Sequence, residues 1–234
     1  TMVAAMGGHT ACLQRLIDAK ANVDAANEMG NTPLLVAAHL GNVECLKLLL
    51  DAKADTNIVD KNGQAALIAA AREGNLECLQ LLLDVGANIN IANRGGDTAL
   101  IAAANGGHAE SMQLLLAAKA DIDAVDMKGN TALIIAAFNG HPKCLQLLLD
   151  AKADINATNV HGNTASFCAT CEGHKTCLQL LLDAKADIDA KLKDGRTALT
   201  IARTRGHYDI VNMLLKEKRL RAATPALQQG PPSL

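Results

Sequence analysis

The sequence predicts an all-α solenoid of about seven helix–turn–helix units stacked in a row, with β-turns or hairpins projecting from one edge. Three observations carry this. Glycines 30, 63, 96, 129, 162 and 195 recur at a constant 33-residue interval that no insertion or deletion breaks. Each interval holds two short apolar runs separated by a helix stop. Helices of that length are marginal in isolation, so each must bury its apolar face against its neighbours.

The stretch from Gly129 to His161 shows how one unit is built. Thr131 precedes the apolar run Ala132–Ala137, where its hydroxyl can cap a helix N-terminus. Gly140 ends that run. Pro142, tolerated in a first helical turn, opens a second run whose apolar face is Cys144, Leu145, Leu147, Leu148 and Leu149. Asp150 to Asp154 closes it, and Ile155 to Gly162 reads as an extended, turn-like tip. Applied along the chain, the register gives a partial first unit at 1–29, complete units at 30–62, 63–95, 96–128, 129–161 and 162–194, and a closing unit at 195–221. A tail at 222–234, rich in Pro and Gly, is expected to be disordered. Thr1 falls in register with Leu34, inside a first helix, so the chain reads as a piece of something longer.

The quoted residues resemble the ankyrin-repeat family. The resemblance rests on Gly-Asn-Thr-Pro-Leu (Gly30–Leu34) and Gly-Asn-Thr-Ala-Leu (Gly129–Leu133), the Ala37-Ala38 pair, Gly140-His141, and the Leu-rich run into Ala-Asp-Ile-Asn at 147–156. It covers residues 1 to about 221. It implies a concave groove, lined by the tips and the ends of the first helices, that binds partner proteins. Two columns depart from the family. Lys20, Lys53, Lys119, Lys152 and Lys185 stand where Gly is usual and only Gly86 keeps it; if the position needs a positive φ, each Lys costs about 1 kcal/mol. Leu35, Ile68, Ile101, Ile134, Phe167 and Thr200 replace the family His, so apolar packing stands in for its hydrogen bonds.

Half the residues are hydrophobic yet only 1% are aromatic, so the core must be Leu, Ile and Ala. No apolar run approaches the roughly 18 residues of a membrane span, and no secretory signal opens the chain. Cys12, Cys45, Cys78, Cys144 and Cys177 share one column, with Ser111 and Ile210 filling it elsewhere; they read as small buried hydrophobes. Neighbouring helices pack about 8–10 Å apart, beyond disulfide reach. Free thiols at this frequency point to a cytoplasmic or nuclear, reducing compartment.

Local departures carry further expectations. Ala65 replaces the capping Thr of its unit, a loss of about 1 kcal/mol that should fray the helix it opens. In the sixth unit Ser166 replaces a core Leu, and Cys168, Cys171, His174 and Cys177 spell C-x2-C-x2-H-x2-C, a donor set that suits Zn²⁺. Register alone explains all but Cys171, which makes the metal the weaker reading; no cofactor is expected. From Lys191 to Arg221 nine Lys/Arg face three Asp/Glu, net +6, which leaves −8 for the remainder of a chain of net charge −2.

No catalytic arrangement stands out: there is no phosphate-cradling Gly loop, no HExxH, and no Ser/His/Asp set outside the repeat columns. His9, His108, His141, His174 and His207 occupy an architectural column, a poor place for a general base. Function is therefore expected where the columns vary. The partner-binding candidates are Met29, His39, Leu40, Lys61, Arg72, Glu73, Arg94, Asn105, Met127, Phe138, Asn139, His161, Glu172 and Arg205. Phe138 is the strongest, an aromatic in a solvent-facing column. The reading is a protein–protein scaffold or adaptor, monomeric and without intrinsic catalysis. The alternative is a regulatory or substrate-docking part of a longer chain with a catalytic domain elsewhere. Nucleic-acid binding through 191–221 is disfavoured by the acidic remainder and the lack of stacking aromatics.

Overall fold

The computed structural model describes residues 1–228, with side chains to residue 223. Its helices alternate along the chain: α1 (Met2–Met6), α2 (Thr10–Asp18), α3 (Pro33–Leu40), α4 (Val43–Asp51), α5 (Ala66–Glu73), α6 (Leu76–Asp84), α7 (Ala99–Gly106) and α8 (Ala109–Ala117). They continue as α9 (Ala132–Asn139), α10 (Pro142–Asp150), α11 (Ala165–Glu172), α12 (Lys175–Asp183), α13 (Ala198–Thr204) and α14 (Tyr208–Gln228). Odd-numbered helices stack in one layer and even-numbered ones in a second. No strand forms among the described residues; an isolated bridge joins Val125 and Thr131 in one projecting turn. The architecture is the expected all-α solenoid.

Local chemistry explains each boundary. The Oγ1 atoms of Thr32, Thr98, Thr131, Thr164 and Thr197 accept the backbone N–H three residues on, capping α3, α7, α9, α11 and α13. Ala65 makes no such bond at α5. Most first-layer helices end on a left-handed glycine, as Gly74 does at φ 70°. A side chain there would be strained, and its Cβ would lie 2.5 Å from the His108 ring. Second-layer helices run on into the lysine column, and Lys20, Lys53, Lys119, Lys152 and Lys185 all sit at φ between 60° and 69°.

The core is one continuous band. Ala37, Ala38, Ala70, Ala103, Ala136 and Ala137 let the first-layer helices approach closely, and Leu46, Leu79, Leu115, Leu145 and Leu178 fill the space between layers. Cys45, Cys78, Cys144 and Cys177 are buried and free, with Ser111 and Ile210 buried in the same column. Cys12, expected buried, is exposed in this structure; Cys45 in the same column packs toward the unit before its own, with Sγ 3.9 Å from the Ala4 carbonyl.

The sixth unit repacks around its substitutions. Ser166 is buried and donates its hydroxyl to the Asp187 carbonyl at 3.0 Å. Phe167 forms a satellite cluster with Leu192 and Ile201. The neighbouring Thr170 hydroxyl is buried without a hydrogen-bond partner.

The tail expected to be disordered, 222–234, begins within the span of the last helix. α14 continues through Ala222 and Ala223 to Gln228. The remainder of that tail, 229–234, lies outside the described residues.

Candidate functional groove

The projecting turns form one wall of a groove, and the exposed ends of the first-layer helices form its floor. Each tip is built by an Asn or Asp. Asn27, Asp60, Asn93, Asp126 and Asn159 each accept the backbone N–H groups two and four residues on, at 2.7–3.0 Å. Consecutive tips then join through backbone bonds from Lys61 N to Met29 O, Arg94 N to Asn62 O, Met127 N to Gly95 O, and Val160 N to Lys128 O. Glycine makes this approach feasible: a Cβ on Gly63 would lie 2.8 Å from Arg94 N. The last junction differs. Leu192 replaces the turn-forming Asx and folds onto Phe167, and Lys193 reaches Val160 O with Nζ instead of its backbone.

Two further ladders lock the units. His108, His141, His174 and His207 donate Nε2–H to the carbonyls of Arg72, Asn105, Phe138 and Cys171, at 2.9–3.2 Å. Asn42 and Asn75 do the same job with Nδ2 toward Ala5 and Ala38. In the loops that lead from each second-layer helix to a tip, Asp24, Asn57, Asn90, Asp123 and Asn156 accept a backbone N–H from the following unit. None of these three ladders was read from the sequence. Their signal was the 33-residue recurrence of Asn/Asp at the tips and of His/Asn before each second helix.

The groove gathers the predicted residues into two places. His39, Arg72 and Glu73 line a cavity of about 420 Å³ with Asn31, Asp60 and Asn93. It is internally paired: His39 Nδ1 lies 3.5 Å from Glu73, and Arg72 Nη2 lies 3.2 Å from Asp97. Asn105, Phe138, Asn139 and His161 line a second cavity of about 390 Å³, with Ile135, Phe167, Cys168 and Cys171 as its apolar base. Phe138 is 48% exposed there. Asn139 Nδ2 donates to Asn105 Oδ1, which leaves the Asn139 oxygen and the Asn105 amide free to bond. Glu172 and Arg205 pair with each other at 3.6 Å beyond this cavity. Met29, Leu40, Lys61, Arg94 and Met127 line neither cavity but are exposed along its borders, Met127 at 77%.

The cysteine–histidine constellation does not assemble. His174 Nε2 is committed to the Phe138 carbonyl. Burial pushes the Cys168 thiol up to about 12 and the Cys177 thiol up to about 11, so both favour the neutral form. Among the described residues no group of three or more His, Cys, Asp or Glu side chains is placed to hold a metal ion. The spacing came from two helices whose cysteine columns face different neighbours.

A family model described as ankyrin repeats in three copies matches residues 1–93, 86–159 and 157–224. The chain belongs to the ankyrin-repeat family. No curated protein matches it. Ankyrin repeats are generally protein–protein interaction modules, and within this array the irregular columns fall along the groove. No helix among the described residues is long and apolar enough to cross a membrane.

Proposed function

We propose that this ankyrin array is a scaffold or adaptor that binds a partner protein in its concave groove and performs no chemistry of its own. One observation supports this most: Phe138 stands half exposed in a cavity of about 390 Å³, beside amides with unused hydrogen-bonding capacity. An exposed aromatic flanked by adaptable polar groups is the composition of an interface hot spot. The remaining columns are consumed by packing and by the ladders between units, which leaves the groove free to vary.

The test compares the wild-type chain with Phe138→Ala as bait, then measures affinity with the purified partner. Phe138 touches solvent on one side, so its truncation should leave the thermal midpoint within a few degrees. Partner affinity should fall by about 1–3 kcal/mol. Equal affinity of the two chains would contradict the proposal.

A further inference from the structure

Two members of the cysteine constellation do share a place, without the histidine. Cys168 and Cys171 lie one turn apart on α11, and both line the Phe138 cavity, Cys168 buried and Cys171 half-buried. They are the two cysteines that share a helix; the other five stand on five different helices. The stack requires neither of them. Ala69 and Ala102 hold the Cys168 position in other units, and Asn105 and Thr204 hold that of Cys171. Beside the pair the cavity wall is apolar, formed by Ile134, Ile135, Phe138 and Phe167.

Geometry narrows what these two thiols can take. Side chains three apart on a helix carry Cβ atoms about 5–6 Å from each other. A disulfide needs about 3.5–4.5 Å. The helix therefore holds the pair wider than a direct S–S bond allows, while one atom inserted between the sulfurs closes the gap. Electrostatics narrows it further. Burial pushes the Cys168 thiol up to about 12. Burial also raises Cys171, where Arg205 and Arg196 oppose it and Glu172 adds to it. Both groups thus favour the neutral thiol. A Cu⁺ ion held by two thiolates would leave a net negative charge in this apolar cavity, and among the described residues no third His, Cys, Asp or Glu joins the pair to complete a Zn²⁺ site. A bridging atom that yields a neutral product meets no such penalty.

We infer that Cys168 and Cys171 form a dithiol site for a monosubstituted trivalent arsenical, whose organic group lies in the cavity against Phe138. The inference does not depend on the groove reading above. The step balances without an oxidant. The arsenical enters as its dihydroxide, R–As(OH)₂. Two As–O bonds break and two As–S bonds form. Each thiol proton leaves with a hydroxide as water, and arsenic stays trivalent. Once the first sulfur is attached, the second meets an atom already tethered beside it, which raises its effective concentration.

The probe is phenylarsine oxide on the reduced full chain, read by native intact mass and by thiol titration. One phenylarsenic should bind per chain and consume two thiols. It should resist an excess of glutathione, a monothiol, and leave with ethanedithiol. Cys168→Ala and Cys171→Ser should each weaken retention at least about a hundredfold. Cys144→Ser, outside the cavity, should leave it unchanged. An unchanged circular dichroism melt checks folding, and Cys171→Ser, at a half-buried position that Thr204 fills in another unit, decides the matter if Cys168→Ala loosens the core. Phe138→Ala should reduce the preference for the phenyl over the methyl arsenical. Glutathione stripping the wild type as readily as Cys171→Ser, or unchanged retention in that variant, would overturn the dithiol site. An unaltered phenyl preference in Phe138→Ala would overturn the placement of the organic group.

Discussion

The thiol of Cys144 shows how much a single buried atom reports. Burial, with the Glu110 charge adding to it, pushes this thiol up to about 11, and Cys78 and Cys177 follow it in the same column. Cys168, deeper still, is pushed up to about 12. A thiol whose folded value is raised contributes its full stability below the ordinary value of 9.0, and loses it as pH rises toward 11 to 12. The urea midpoint should therefore hold steady to about pH 8.5 and fall above it. Cys144→Ser should flatten that fall, because Ser111 already occupies the column without titrating in this range. A midpoint independent of pH up to 10.5, or an identical fall in the variant, would refute the burial argument. This column was legible in the sequence because a small residue recurred at a fixed spacing. The exposure of Cys12 was not, since periodicity says which side a residue faces but not how it is covered. The strained lysines were legible on the same logic: a position where the family places glycine holds Lys at positive φ five times over.

At the scale of one helix, α5 is the natural experiment. Its neighbours α3, α7, α9 and α11 each begin with a Thr that satisfies an orphan N–H, and α5 begins with Ala65. Ala65→Thr should restore that bond, raise stability by about 1 kcal/mol and slow amide exchange at Leu67 and Ile68. Ala65 packs against Ile68 and Ala102, so a loss of stability on adding the Thr methyl would mean that packing, not capping, governs this helix start. Helix starts and stops could be read from sequence because each depends on a residue within four positions. The ladders between units could not, because their donors and acceptors lie 31 to 37 residues apart and only stacking brings them together. The same limit explains the false metal constellation, whose spacing along the chain is right but whose side chains sit on differently facing helices.

For the whole molecule, the fixed repeat legislates the stack and leaves the groove undetermined. Nearest-neighbour contacts carry the stability, so the array behaves as a one-dimensional chain of coupled units. Its last described junction is joined differently: the tips are linked there by Lys193 Nζ rather than by a backbone N–H, and Arg205 pairs with Glu172 across it. The variable face was only half legible. The sequence marked the variable columns and Phe138, but the pairing of Arg72 with Asp97 and of Arg205 with Glu172 could be seen only in the structure. The most direct test of the account is a hydrogen-exchange footprint of the full chain with and without a groove-selected ligand. The account predicts new protection at the tips around Arg94, Lys128 and His161 and at the end of α9 around Phe138, with α4, α6, α8 and α10 unchanged. Protection confined to those second-layer helices would contradict it.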